Sequence, residues 1–256
     1  MKEYRIKRAE MAMRNGEFTV YYQPKVHLET GRLAGMEALV RWELRDGTVV
    51  RPDDFIPFFE ENGLITQLDE YVIRQVVNDL KQWKAQGAEL VPVSINLSAW
   101  DLLDDDFLGG IRQIVENGNI EAELIEFELT ETACSGNLKK VCASLKDLKA
   151  AGFQISLDDF GTGYSSLTLL PSIPADTIKL DRQFLCRLEE QEKGKVLLYQ
   201  VITMLREMNF AVICEGVESK EHVELLQQAG CNLGQGYYFS RPITRTCFEK
   251  QFLMAG

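Results

Sequence analysis

From residue 91 onward the sequence repeats one unit: a short β-prone apolar run, a polar mouth, an amphipathic helix and a glycine. Val91–Asn96 opens into Asn96-Leu97-Ser98, and a helix near 104–117 closes at Gly118. Ile125–Leu129 opens into Thr130-Glu131-Thr132. The helix over 138–151 carries the stripe Leu138, Val141, Leu145 and Leu148 and ends at Gly152. A third run, 153–158, is followed by Thr177–Leu180 and a helix centred on 195–208. Ala211–Cys214 leaves through Glu215-Gly216-Val217-Glu218 into Ser219, an N-cap for a helix over 220–229. Gly230 ends that helix, and Asn232–Phe239 supplies the last run. Strands separated by helices require crossover connections and so a parallel sheet.

The start of the chain departs from that rhythm. Residues 1–17 read as a lead-in helix or linker. A strand, Thr19–Tyr22, ends at Gln23-Pro24, and a turn at Glu29-Thr30-Gly31 leads to a second strand, Met36–Trp42. This first connection is hairpin-like and lacks a helix. A short helix over Asp53–Glu61 and a long one over 66–86 follow; the second has Leu68, Val72, Val76, Leu80 and Trp83 on one face and stops at Gly87. The count reaches about eight strands, and a closed β/α barrel takes about 250 residues. The chain has 256. The expected fold is therefore α/β: a modified (β/α)8 TIM-like barrel forming one domain over 1–256.

Lys plus Arg number 28 against 39 Asp plus Glu, a net charge of −11. Such a chain lacks the basic field that long nucleic acid requires. A small anionic ligand stays compatible with it if metal ions supply local positive charge. With only two histidines, His27 and His222, a metal site must be built mostly from oxygen, which favours Mg²⁺ or Mn²⁺. The six cysteines contain no C-x-x-C pair and fit reduced thiols in a cytoplasmic protein. No apolar run approaches the ~18 residues of a membrane span, although an anchor through a further domain stays open.

The chemistry-bearing residues gather at the strand ends: Glu37 with Arg41, Asn96, Glu128 with Glu131, Asp158 with Asp159, Lys179, Glu215 with Glu218, and Gln235. Barrel enzymes assemble their sites from several strands at that face. One acid at a strand end is usually turn or N-cap chemistry. Five or more in one mouth repel and raise one another's pKa unless cations sit among them. Two ions fit if one carboxylate bridges. Asp158 suits that role, because the run Leu157–Ser166 puts Asp159 beside it where the chain leaves the sheet. Lys179 is then placed to orient a water or to offset transition-state charge; its plainer reading is a solvated strand cap. Arg41 suits a phosphate by its planar fork, or else makes a surface ion pair. Phe160, Tyr164, Tyr237, Tyr238 and Phe239 could stack on bases, though core packing is the commoner role.

Taken in order, several motifs resemble the EAL-domain cyclic di-GMP phosphodiesterases. They are Tyr22-Gln23-Pro24, Glu37-Ala38-Leu39 with Arg41-Trp42, Ser94 to Ser98, Glu128 to Glu131, Asp158 to Ser166, Ile178 to Arg182, Glu215 to Glu218 and Gln235 to Pro242. The resemblance runs from about residue 10 to 250. It implies a barrel with an antiparallel first strand, hydrolysis of cyclic di-GMP to linear pGpG, and two Mg²⁺ or Mn²⁺ ions per site. Glu37, Asn96, Glu128 and Asp158 match the ligands of one metal; Asp158, Asp159 and Glu215 match those of the second. Lys179 matches the lysine that contacts the catalytic water. Gln23, Leu39, Arg41, Asp181, Tyr237 and Pro242 match substrate contacts, and Glu218, Gln235 and Gly236 are placed with them. Glu131 matches the acid that steadies the loop after the aspartate pair. The resemblance also implies a homodimer. The alternative is a catalytically silent cyclic di-GMP receptor, which would lack an acid or the lysine; here none is missing.

Overall fold

Eight strands close a barrel in which the first runs against both of its neighbours. The computed structural model describes residues 2–130, 133, 137–162, 167, 170–186 and 192–254. After helix α1 (Lys2–Arg14), the barrel strands are β1 (Phe18–His27), β2 (Leu33–Glu43), β4 (Val93–Asn96), β5 (Ile125–Thr130), β6 (Gln154–Phe160), β7 (Thr177–Leu180), β8 (Ala211–Cys214) and β9 (Leu233–Gln235). Two short strands, β3 (Val49–Val50) and β10 (Ile243–Thr244), add to the rim. β2 and β4 through β9 pair in parallel in chain order, while β1 closes the circle by antiparallel pairing with both β2 and β9. The expected barrel with an antiparallel first strand is borne out.

β1 runs five residues past its expected end and carries Pro24 in its interior. Proline has no N–H to give a ladder. Pro24 pairs with Met36 on one side. On the other side it falls between the residues that pair with β10, Tyr21 and Tyr22, and those that pair with β9, Lys25 to His27.

Helices α2 (Pro52–Glu61), α3 (Ile65–Ala85), α4 (Asp105–Gly118), α5 (Leu138–Ala150), α7 (Glu192–Glu207) and α8 (Lys220–Gln228) form the outer layer, with a one-turn α6 (Gln183–Cys186) after β7 and α9 (Arg245–Phe248) near the end. Side-chain caps hold three N-termini: Asp104 accepts from Asp106 N and Phe107 N, Asn137 from Lys140 N, and Ser219 from His222 N. At the end of α4, Asn119 makes the left-handed turn at φ 54°. Gly118 stays helical and lets Val77 approach; a Cβ there would lie 2.3 Å from Val77 Cγ1.

Strand alternation sorts the residues. Val93 and Ile95, Ile125, Phe127 and Leu129, Ile155 and Leu157, and Ile178 and Leu180 join the core between barrel and helices. Their neighbours Ser94, Glu126, Glu128, Ser156, Thr177 and Lys179 are also buried. They lie inside the barrel, where a TIM barrel ordinarily packs branched apolar layers. A second apolar cluster, centred on Phe18, Phe55, Phe59 and Leu68, ties α1, α2 and the start of α3 to the first residue of β1. No helix among the described residues is long and apolar enough to cross a membrane.

Candidate active site

The register of the parallel strands brings the acids to one level. Glu37 on β2 sits beside Ser94 on β4, Asn96 beside Glu128 on β5, and Thr130 beside Asp158 on β6. Lys179 on β7 reaches into their midst. Its Nζ lies 2.7 Å from Glu215 Oε1, 2.8 Å from Glu128 Oε2, 3.1 Å from Asp158 Oδ2 and 3.4 Å from Glu37 Oε2. The side chain is fully buried, so it is no solvated strand cap. Asn96 Nδ2 donates to Glu37 Oε1 at 3.3 Å and fixes that carboxylate from the far side.

The two aspartates stand inside the strand rather than beyond it. Leu157 pairs with Ile178 and Phe160 with Leu180, so β6 fits three steps against two of β7. The extra residue is a β-bulge, a device that re-aims side chains beside active sites. Asp159 absorbs it in the left-handed region at φ 55°, and its N–H donates to Asp158 Oδ1 at 2.8 Å. Thr162 returns both its N–H and its hydroxyl to Asp159 O. The bulge lets consecutive carboxylates serve one site, which straight alternation forbids.

One ammonium cannot neutralise this many acids. Burial pushes Glu215 up to about 8, with Asp158 and Glu37 adding to the push against Lys179. Burial also raises Glu37, Asp158 and Asp159, the last helped by nearby Asp181. Glu128 alone goes the other way. Burial opposes its charge, but Lys179 and Lys25 together hold it down at about 2. Ligand oxygens of Asp158, Asp159 and Glu215 all lie within 4.8 Å of one another. A set of hard oxygen donors with surplus negative charge fits Mg²⁺ or Mn²⁺.

Gln235 on β9 joins the acids to Gln23 on β1. Its Nε2 donates to Glu37 Oε2 and, at 3.2 Å, to Gln23 Oε1, while Gln23 Nε2 donates to Ser240 O. Gln235 Oε1 is buried and has no hydrogen-bond donor among the described residues. Arg41 donates to Val40 O at 2.8 Å and lies over the Tyr21 ring. Tyr237 is half exposed under the Arg241 guanidinium, 4.2 Å from its ring centroid. Leu39, Asp181 and Pro242 are partly exposed, and Asp181 caps Gln183 N. Gly236 touches the Val217 backbone. Glu218 is exposed, and its N–H faces His222 Nδ1 at 3.3 Å. Glu131 and residues 163–166 lie outside the described residues.

Two charged residues of this interior do not stand out from strand-end reasoning. Lys25 bonds Glu128 and Glu126, and Ser94 bonds both Lys25 and Glu126. The signal was available in the period-two spacing: Lys25 shares a strand face with Gln23, and Glu126 shares one with Glu128.

The family profile described as EAL domain matches residues 6–242. The chain belongs to the EAL domain family. Cyclic di-GMP phosphodiesterase NbdA of Pseudomonas aeruginosa is 35% identical over 244 residues, covering 95% of this chain and 31% of its own length. Cyclic di-GMP phosphodiesterase PdeR of Escherichia coli is 35% identical over 241 residues, covering 94% and 36%. The chain thus spans about a third of the curated relatives it matches. Among solved structures, the PaMucR phosphodiesterase in complex with c-di-GMP superposes with a TM-score of 0.88 at 30% identity, over 95% of this chain and 98% of the other. The EAL enzyme Bd1971, bound to cAMP and cyclic di-GMP, gives 0.90 at 29% identity, over 98% and 69%. The EAL resemblance read from the motifs is borne out over nearly the whole domain.

Proposed function

We propose that this EAL domain is a metal-dependent phosphodiesterase that hydrolyses cyclic di-GMP to linear pGpG. The observation that carries the reading is the Lys179 ammonium bonded to Glu37, Glu128, Asp158 and Glu215, with Asp159 turned into the same cluster by the bulge. Glu37, Asn96, Glu128 and Asp158 would hold one divalent ion, and Asp158, Asp159 and Glu215 a second. A divalent ion held by these residues would supply Lewis-acid activation of a water and neutralise phosphodiester charge. Lys179 directs a fixed positive charge at the same point and offsets charge that develops on the phosphorus oxygens. Arg41 takes a non-bridging phosphate oxygen. The Gln23–Gln235 amide pair holds Glu37 in place, and the exposed Tyr237 ring offers a face to a guanine. The protein acts in this reading as a cytoplasmic homodimer, which sedimentation equilibrium checks.

The test is product analysis. The protein is incubated with cyclic di-GMP and Mg²⁺, and the nucleotides are separated by chromatography. Appearance of pGpG supports the enzyme. Tight binding of cyclic di-GMP at full metal occupancy, with no pGpG, makes the domain a receptor instead.

A further inference from the structure

Beneath the carboxylate ring, one step deeper into the barrel, lies a second buried lysine. Lys25 on β1 is 3% exposed, and each of its ammonium hydrogens has one partner: Glu128 Oε1 at 2.7 Å, Glu126 Oε2 at 2.8 Å and Ser94 Oγ. Ser94 in turn donates to Glu126. Glu128 is fully buried between two cations, with Oε1 on Lys25 and Oε2 on Lys179. A carboxylate held at both oxygens from opposite sides cannot rotate about its last torsion or swing away from Asn96, its neighbour across the ladder.

Lys25 also faces the opposite mouth of the barrel. A cavity of about 430 Å³ opens there, lined by Lys25 with Glu126, Thr177, Gln154 and Leu233. A plug for that mouth would need bulk and one positive charge near Glu126. It would not need a bond to the acid at the level of Lys179. The bond to Glu128 is the one that touches the chemistry.

We propose that Lys25 is a positioning residue for the metal centre, holding the Glu128 carboxylate from below in the orientation that a metal ligand needs. The inference rests on the reading of Glu128 as a ligand. Groups that orient a ligand characteristically carry a tenfold to hundredfold share of metal affinity. Replacing Lys25 alone would strand the buried Glu126 without its cation and leave Glu128 with Lys179 alone, so the measurement uses a matched pair. Glu126→Gln leaves the Lys25–Glu128 bond in place. Lys25→Met/Glu126→Gln removes that bond along with one positive and one negative charge.

Free Mn²⁺ is titrated by electron paramagnetic resonance against both variants, the wild type and Glu128→Gln, with melting in EDTA as the fold control. Turnover against metal concentration is read in parallel. The double variant should bind Mn²⁺ about 10- to 100-fold more weakly than Glu126→Gln, and excess metal should recover much of its turnover. Equal Mn²⁺ affinity in the two, with Glu128→Gln clearly weakened, overturns the role of Lys25 and leaves the ligand reading standing. Wild-type Mn²⁺ binding by Glu128→Gln overturns both.

Discussion

Lys179 and Glu215 face each other across 2.7 Å inside the barrel, and yet the carboxyl of that pair is pushed up to about 8. An isolated ion pair would lower it. Here burial, Asp158 and Glu37 outweigh the lysine, so the pair belongs to an over-acidic cluster and not to a simple salt bridge. Lys179→Met should therefore leave four acids with no cation at their centre. In EDTA the variant should lose about 3–5 kcal/mol of stability, read by urea denaturation. Mn²⁺ should restore part of that loss, while turnover stays abolished.

Asp159→Asn separates backbone from chemistry. Asparagine tolerates the left-handed conformation that Asp159 adopts, so the bulge and the melting temperature should hold. Turnover should fall by more than the roughly 100-fold that disturbing a ligand's support costs, with cyclic di-GMP binding largely kept. Steady-state rates beside a binding titration check this; wild-type rates would remove Asp159 from the centre.

Gly236→Ala tests how Gln235 is seated. A Cβ at 236 would lie 2.2 Å from Val217 O and 2.3 Å from Val217 N, backbone atoms with little freedom to yield. Overpacking of this kind costs about 1–3 kcal/mol. The shift should drag Gln235 off Glu37 and lower turnover along with stability, as denaturation and product assays would report.

A pH effect should also arise outside the carboxylate ring. On α3, burial, together with the Asp101 carboxylate, raises Asp69 well above the ordinary carboxylate value. The folded chain then keeps a proton that the unfolded chain releases, so stability falls as pH rises beyond that ordinary value. Asp69→Asn removes this contribution. Between about pH 5 and about pH 8 its melting temperature should decline less than that of the wild type, in paired thermal scans.

Much of the barrel was legible because glycines and helical stripes punctuate it, and because the acids stand at strand ends, where a barrel keeps its chemistry. What sequence spacing hid was depth. Lys25 and Glu126 lie two residues from Gln23 and Glu128 on the same strand faces, but a charged layer below the mouth contradicts the apolar filling expected of such barrels. Proline usually ends a strand, and Pro24 is tolerated inside β1 by its position between two successive pairing partners. Alternation alone gives neighbouring aspartates no way to share a face within a strand, which points to the place where the chain leaves the sheet. The bulge supplies the missing step.

The placement of β1 has a kinetic consequence. β1 and β2 pair locally, but the latch between β1 and β9 must wait for the end of the barrel, and Gln235 and Glu37 are 198 positions apart. Non-local closure of this kind is slow. A chain whose β1 has not yet latched onto β9 also lacks the Gln235 clamp on Glu37. On the proposed function, turnover in a refolding sample should recover no sooner than β1 pairs with β9, which stopped-flow fluorescence beside a product assay would check.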